Sequence, residues 1–321
     1  MHLNQIRQNL ETRQIWIYFA AVAAATALSW QGPPMAVLER LINPALAFML
    51  YVTFLQLPLR SLGRALGQFR FMLVLLLANF LLVPALVFVL LPLVPDDPVL
   101  RLGVLLVLLA PCIDYVVTFA HLGRADARAL LACTPVLLFA QMLLLPMYLT
   151  AYLGPDMAIY IQATPFLDAL IWLILVPLVL AALTQWLAAR NRIGLGVSRG
   201  LGLAPVPAMA LVLFLVVAAV APGLGVAGKA VVAVLPVYIL FAIGAPLLGW
   251  GLARSARLDA AASRAVAFSS ATRNSLVILP LALAVPVTTP VLPAVIVTQT
   301  LVELLAEMIY VRVLGAAGRQ S

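Results

Sequence analysis

The sequence predicts an all-α integral membrane protein of ten transmembrane helices, paired as two inverted five-helix repeats with broken fourth and ninth helices. Three observations carry this. Hydrophobic residues make up 65% of the chain and charged residues 9%, with a mean hydropathy of +1.15; water-soluble domains hold roughly 25% charged residues because their surface must be wetted. Several apolar runs exceed the ~18–20 residues that cross a bilayer. The basic residues fall almost entirely on one side once those runs are threaded back and forth. Strand-like alternation over ten-residue segments is absent, which excludes a β-barrel.

Apolar runs between polar or Pro/Gly breaks give the elements in order. The polar stretch 1–14 lacks the apolar core and cleavage site of a signal peptide, and a first span follows at 15–31. After Gly32-Pro33-Pro34 come spans at 36–57, 69–94, 99–121 and 127–152. The second half supplies 163–188, 203–223, 229–252, 262–285 and 290–314. With the N-terminus in the cytoplasm, that side receives Arg7, Arg13, Arg60, Arg64, Arg70, Arg124, Arg128, Arg190, Arg192, Arg199, Arg254, Arg257, Arg264, Arg312 and Arg319. The outside receives only Arg40, Arg101 and Lys229, and Arg273 alone of the 19 basic residues stays in the membrane. Both termini are therefore expected in the cytoplasm.

Five spans per half, 1–160 and 161–321, give halves of opposite orientation. Val83-Pro84-Ala85-Leu86 in span three matches Ala245-Pro246-Leu247-Leu248 in span eight. Asp114 follows the first proline by 30 residues and Arg273 the second by 27, and Pro135 and Pro293 each lie about 20 residues beyond those charges. Inverted repeats with interrupted helices at matching positions mark many secondary transporters, whose sites lie at the membrane midplane.

Arg273, in Ser269-Ser270-Ala271-Thr272-Arg273-Asn274-Ser275, is the residue with most to explain. A guanidinium at that depth costs from ~3 to more than ~10 kcal/mol and faces a partner or a water-filled cavity. Asp114, in Ala110-Pro111-Cys112-Ile113-Asp114-Tyr115, has a matching context. Pro111 removes a backbone donor, and Thr272, Asn274 and Ser275 can satisfy the groups a break sets free. Half-helix N-termini pointing inward, with Arg273, would make an electropositive seat for a carboxylate or oxyanion. Asp114 would pair with Arg273 in the empty state or accept the coupling proton; the alternative is an ion pair that only pins two helices. In span ten, Gln299, Glu303 and Glu307 are four apart on one face. Glu303 is a candidate proton carrier, and Glu307 could pair with Arg312. Cys112 is either a ligand for a soft metalloid or a small buried hydrophobe. Tyr148, Tyr152, Trp30, Trp250 and Tyr310 read as interface anchors, and His121 as interfacial.

Other classes lack their parts. The net charge of +8 includes a single lysine, Lys229, and arginines in short loops mark orientation rather than nucleic-acid binding. Cys112 and Cys133 both fall in spans, so no disulfide is expected. No HExxH, GxSxG, P-loop or CxxC occurs, and His2 and His121 are the only histidines. No enzyme, metal site or cofactor is expected, and no loop could house an ATPase. Transport would run on gradients or exchange.

Ala110-Pro111-Cys112 in span four, the polar break in span nine and Leu301-Val302-Glu303 in span ten resemble the bile acid:sodium symporter superfamily, closest to its arsenite-efflux branch. Asn43-Pro44-Ala45-Leu46-Ala47-Phe48-Met49-Leu50 and Leu59-Arg60 also fit. The resemblance implies a core of spans three to five and eight to ten, with four and nine crossing, that moves against a panel of spans one, two, six and seven. It also exposes departures. Arg273-Asn274 stands where the sodium-coupled branch has Gln-Asn, Ser269 near its Glu, and Val116-Val117 where its polar ligands fall. A fixed cation thus replaces what sodium would supply. The acid that the arsenite branch carries after its span-nine Asn is missing from Asn274-Ser275-Leu276. The resulting expectation is a secondary active transporter of a small anionic solute in a bacterial-type inner membrane, coupled to protons or an exchanger. Arsenite efflux, with Cys112 as metalloid ligand, is the first alternative and a sodium-coupled organic-anion symporter the second. A receptor or scaffold without transport is a minor one.

Overall fold

In this computed structural model residues 2–29, 35–56, 68–113, 115–153, 170–220, 224–275, 278–279, 282 and 291–316 are described. Every regular element among them is helical, and the β-type pairing is one isolated bridge. In chain order they are α1 (His2–Ser29), α2 (Met35–Phe54), α3 (Phe69–Leu93), α4 (Pro98–Leu108), α5 (Val116–Leu122), α6 (Ala127–Leu153), α7 (Val176–Arg190), α8 (Arg192–Leu201), α9 (Pro205–Val220), α10 (Leu224–Ser255), α11 (Ala260–Ala271) and α12 (Val291–Ala316). Among the described residues, four helices are long and apolar enough to cross a membrane: α3, α6, α10 from Ala227, and α12. The pair α8 and α9, bent by 46°, makes a fifth if it is one span. Shorter apolar helices lie at Trp16–Ser29, Arg40–Phe54, Pro98–Leu108 and Val176–Arg190. The chain is thus a multi-pass membrane protein, and among the described residues fewer full-length spans are seen than the ten expected.

Two compact units form, Met1–Leu59 with Ala163–Gly225 and Arg60–Gln162 with Val226–Ser321. In the first, α9 packs against α1 and α2, and α2 against α7. Gln185 Nε2 donates to Phe54 O at 3.3 Å and Leu55 O at 3.1 Å, satisfying carbonyls that the end of α2 leaves without helical partners. Two helices exceed the sequence expectation. α1 runs back through the polar N-terminal stretch, where Arg7 and Glu11 pair one turn apart at 2.7 Å, a modest helix-supporting contact. α8 forms where a polar loop is expected, because Asn191 Oδ1 caps Gly194 N at 2.6 Å. Only glycine fits there, since a Cβ on Gly194 would stand 2.6 Å from Leu187 C.

The second unit holds α3 to α6 and α10 to α12. Leu73, Leu77 and Leu81 on α3, Ile239, Ile243 and Leu247 on α10, and Leu305, Ile309 and Val313 on α12 form exposed apolar stripes. Four-residue spacing puts each stripe on one helix face, fit for lipid rather than water. Proline shapes the inner geometry. Pro84 cannot donate to Phe80 C=O and its ring crowds it, so α3 widens into a π turn at Ala78–Leu82. The freed carbonyl accepts Tyr148 OH from α6 at 2.5 Å, and Tyr152 OH reaches Pro84 O at 2.7 Å. In α10, Pro246 likewise frees Ala242 C=O, which accepts Tyr310 OH from α12. These hydroxyls fasten neighbouring helices to one another. Phe80 and Ala242, Tyr148 and Tyr310, and Pro84 and Pro246 each differ by 162 in residue number. So do the capping residues Asp97 and Asp259 that open α4 and α11.

Candidate functional site

α4 and α11 both stop short. Asp97 accepts from Val99 N at 2.8 Å and Leu100 N at 3.0 Å to start α4; Asp259 accepts from Ala262 N at 2.8 Å to start α11. α4 ends at Leu108 because Pro111 supplies no N–H and disfavours helix in the residue before it. α11 ends at Ala271, and Thr272 is extended. Backbone groups freed in a bilayer interior need partners, and here the two breaks serve each other. Pro111 and Arg273 form an antiparallel bridge: Cys112 N donates to Thr272 O at 3.0 Å and Asn274 N to Ala110 O at 2.8 Å. Pro111 and Arg273 are also 162 apart. The correspondences drawn from spacing, Asp114 with Arg273 and Pro135 with Pro293, miss this register by three and four residues.

Arg273 is fully buried. Its guanidinium donates to Ser269 O at 2.5 Å, Ser270 O at 2.8 Å, Leu108 O at 3.4 Å and Asn79 Oδ1 at 2.9 Å, with the Phe241 ring 5.6 Å away. Ser269 and Ser270 carry last-turn carbonyls of α11, and Leu108 ends α4. Each helix C-terminus is equivalent to about −0.5 of an elementary charge, so one guanidinium balances two of them. The seat made by these two C-termini suits a cation, and Arg273 fills it, while α5 opens with its own N-terminus at Val116, just past the first break. Among the described residues the ion pairs are Arg7–Glu11 and Arg101–Asp96, both elsewhere. Asp114, the expected partner, lies outside the described residues.

α12 supplies the other wall. Glu303 Oε2 accepts Arg273 N at 2.7 Å and Gln299 Nε2 at 2.6 Å, and Glu303 Oε1 meets Tyr115 OH. Tyr115 OH is also 3.1 Å from Arg273 O. Glu307 is fully buried against Thr272 Oγ1 rather than paired with Arg312, which is exposed. Thr300 Oγ1 bonds Ser275 Oγ at 2.8 Å. Cys112 and Asn274 are buried beside the bridge, and Cys112 is not part of a disulfide. The described residues hold no group of three metal-ligating side chains. The fold therefore gathers Cys112, Thr272, Arg273, Asn274, Ser275, Gln299 and Glu303 about one crossing. Asn79 and Tyr115 belong there too, though sequence reasoning passed over them. Asn79 had a signal: it is the sole polar side chain between Arg70 and Asp96. Its Nδ2 donates to Ser269 Oγ at 2.9 Å, which aims its carbonyl at Arg273.

A family model described as Sodium Bile acid symporter family matches residues 43–228, more than half of the chain. No match to a curated protein was found.

Proposed function

The chain belongs to the sodium bile acid symporter family, and from that premise we propose a secondary active transporter of a small anionic solute that works without sodium at its helix crossing. One observation carries the reading: the fully buried Arg273 guanidinium at the ends of α4 and α11. Two helix C-termini in a low-dielectric crossing call for positive charge. A mobile ion meeting that need comes and goes with the transport cycle; a guanidinium stays. The driving force then falls to protons or to exchange, with the carboxyls of α12 beside the crossing as proton acceptors. We extend the 162-residue register of the second unit to two inverted five-helix repeats in a bacterial-type inner membrane, both termini cytoplasmic. A metalloid cargo is the second reading, favoured by the buried Cys112 thiol at the bridge.

The test is uptake of radiolabelled taurocholate, pyruvate, succinate and arsenite into proteoliposomes holding the purified chain. Sodium is exchanged for potassium, and the pH gradient is imposed or collapsed. Uptake is expected to ignore sodium and follow the pH gradient or an internal counter-solute. Uptake that requires sodium would overturn the reading.

A further inference from the structure

Two hydroxyls at the crossing each stand between an acid and a carbonyl. Thr272 Oγ1 lies 2.7 Å from Phe268 O and in hydrogen-bond contact with Glu307 Oε1. Tyr115 OH lies 3.1 Å from Arg273 O and in contact with Glu303 Oε1. A hydroxyl brings one proton and two lone pairs; a carbonyl or an ionised carboxylate brings none. With the acid ionised, one of the two contacts in each trio holds no proton. The trio closes when the carboxyl O–H donates to the hydroxyl and the hydroxyl donates to the carbonyl.

What else reaches each acid separates them. Two N–H donors, Arg273 N and Gln299 Nε2, converge on Glu303 Oε2, an arrangement that holds a carboxylate. Glu307 Oε2 is buried with no hydrogen-bond partner among the described residues. A bare oxygen in a dry site is tolerable on a neutral carboxyl and very costly on an ionised one. Of the titratable groups on its own helix, Glu303 acts on Glu307, and Glu307 in turn acts on Tyr310. From α11 it meets the Thr272 hydroxyl, while the Arg273 guanidinium turns to the α4 and α11 carbonyls and Arg264 donates to Arg124 O. On α5, His121 is exposed, as are Lys229 and Arg254 on α10 and Arg312 on α12. Arg101 of α4 is paired with Asp96. No described basic side chain forms an ion pair with Glu307.

We propose that Glu307 is the carboxyl that takes up and releases the coupling proton, whereas Glu303 is the fixed acid that organises the break. This rests on the transporter reading above. On release, the proton on Glu307 Oε1 passes to water and leaves a carboxylate. The Thr272 hydroxyl then swings its own proton from Phe268 O to Glu307, and uptake reverses both moves.

Infrared spectroscopy of the full chain in lipid tests the proton directly. At neutral pH a protonated-carboxyl C=O band is expected in wild type, lost in Glu307→Gln and kept in Glu303→Gln. The amide of Glu307→Gln can donate to Thr272 as the acid does, so this variant folds with wild-type thermal stability. A band indifferent to Glu307→Gln, or lost only in Glu303→Gln, overturns the proposal. In the proteoliposome assay, Glu307→Gln should reduce pH-gradient-driven accumulation to the empty-liposome level, and any residual uptake should be flat with pH. Accumulation that persists and still follows pH assigns the coupling proton elsewhere. Wild-type protein that moves none of the four solutes refutes the transporter reading, while the infrared result still decides whether Glu307 holds a proton.

Discussion

Replacing Arg273 by glutamine is the most informative single perturbation. The guanidinium holds Ser269 O at 2.5 Å and Ser270 O at 2.8 Å, with Leu108 O and Asn79 Oδ1 further out. A glutamine amide is shorter and can serve one of these. At least two buried carbonyls then lose their donor, at ~1–3 kcal/mol each. Against this, the variant no longer desolvates a charge, which relieves several kcal/mol. In an ordinary core that relief would win. Here it does not, because the α4 and α11 C-termini keep their negative ends facing each other once the cation is gone. The net expectation is a loss of ~2–4 kcal/mol, or about 3–6 °C in thermal midpoint for a chain of this size. Tryptophan-fluorescence melting in detergent, with sodium, potassium or choline as the only cation, reads it. Wild type should melt at one temperature in all three salts. Arg273→Gln should melt lower in choline and recover part of the loss in sodium or potassium, as a free ion enters the vacated seat; Arg273→Lys should fall between. A variant as stable as wild type in choline would refute the dipole argument, and a sodium-stabilised wild type would refute the fixed-cation argument.

Further expectations follow from the same contacts. Tyr148→Phe and Tyr310→Phe each leave a proline-freed carbonyl unmatched, so each should cost ~1–2 kcal/mol in a reversible unfolding titration; a change below a few tenths would mean that these hydroxyls fasten nothing. Single cysteines at positions 97, 156 and 226 should react with a membrane-impermeant reagent from outside, and those at 62, 196 and 256 only after permeabilisation, with one inverted loop enough to break the topology; Gly196 is used because a Cβ there meets nothing within 4 Å. In an arsenic-sensitive host expressing the chain, Cys112→Ser should abolish resistance if a metalloid is the cargo; retained resistance assigns the thiol to packing.

The membrane class and the two breaks were legible in the sequence because each rests on a local cost. Apolar length reports the bilayer, and Pro111 reports a helix that cannot continue. The guanidinium's partners were not legible, since they depend on how distant segments come together: Leu108 lies 165 residues from Arg273 and Asn79 lies 194. The partners of Tyr148, Tyr152 and Tyr310 were not legible for a related reason. A tyrosine near a span end suits a headgroup region equally well as a carbonyl on the next helix, and the prolines that free those carbonyls lie in other spans, at Pro84 and Pro246. Arg312 is the partner that proximity in sequence offers Glu307, while the residue that ends α11, Thr272, is the one it meets.

The 162-residue register also accounts for the acid appearing in only one half. Glu303 falls opposite Gln141 in that register, and Arg273 opposite Pro111. Arg273 N–H donates to Glu303, whereas Pro111 has no N–H to offer. An acid at 141 would therefore lack the backbone donor that position 303 enjoys, and burying it would cost far more than burying an amide. The chain carries the amide, with both Nε2 and Oε1 of Gln141 buried and unpartnered among the described residues. Substituting Gln141→Leu removes two unmatched polar atoms at nearly constant volume, and should raise stability by ~1–3 kcal/mol. A lowered melting temperature would instead show that Gln141 holds a partner of its own, and that the two sides of the crossing are more alike than their backbone donors allow.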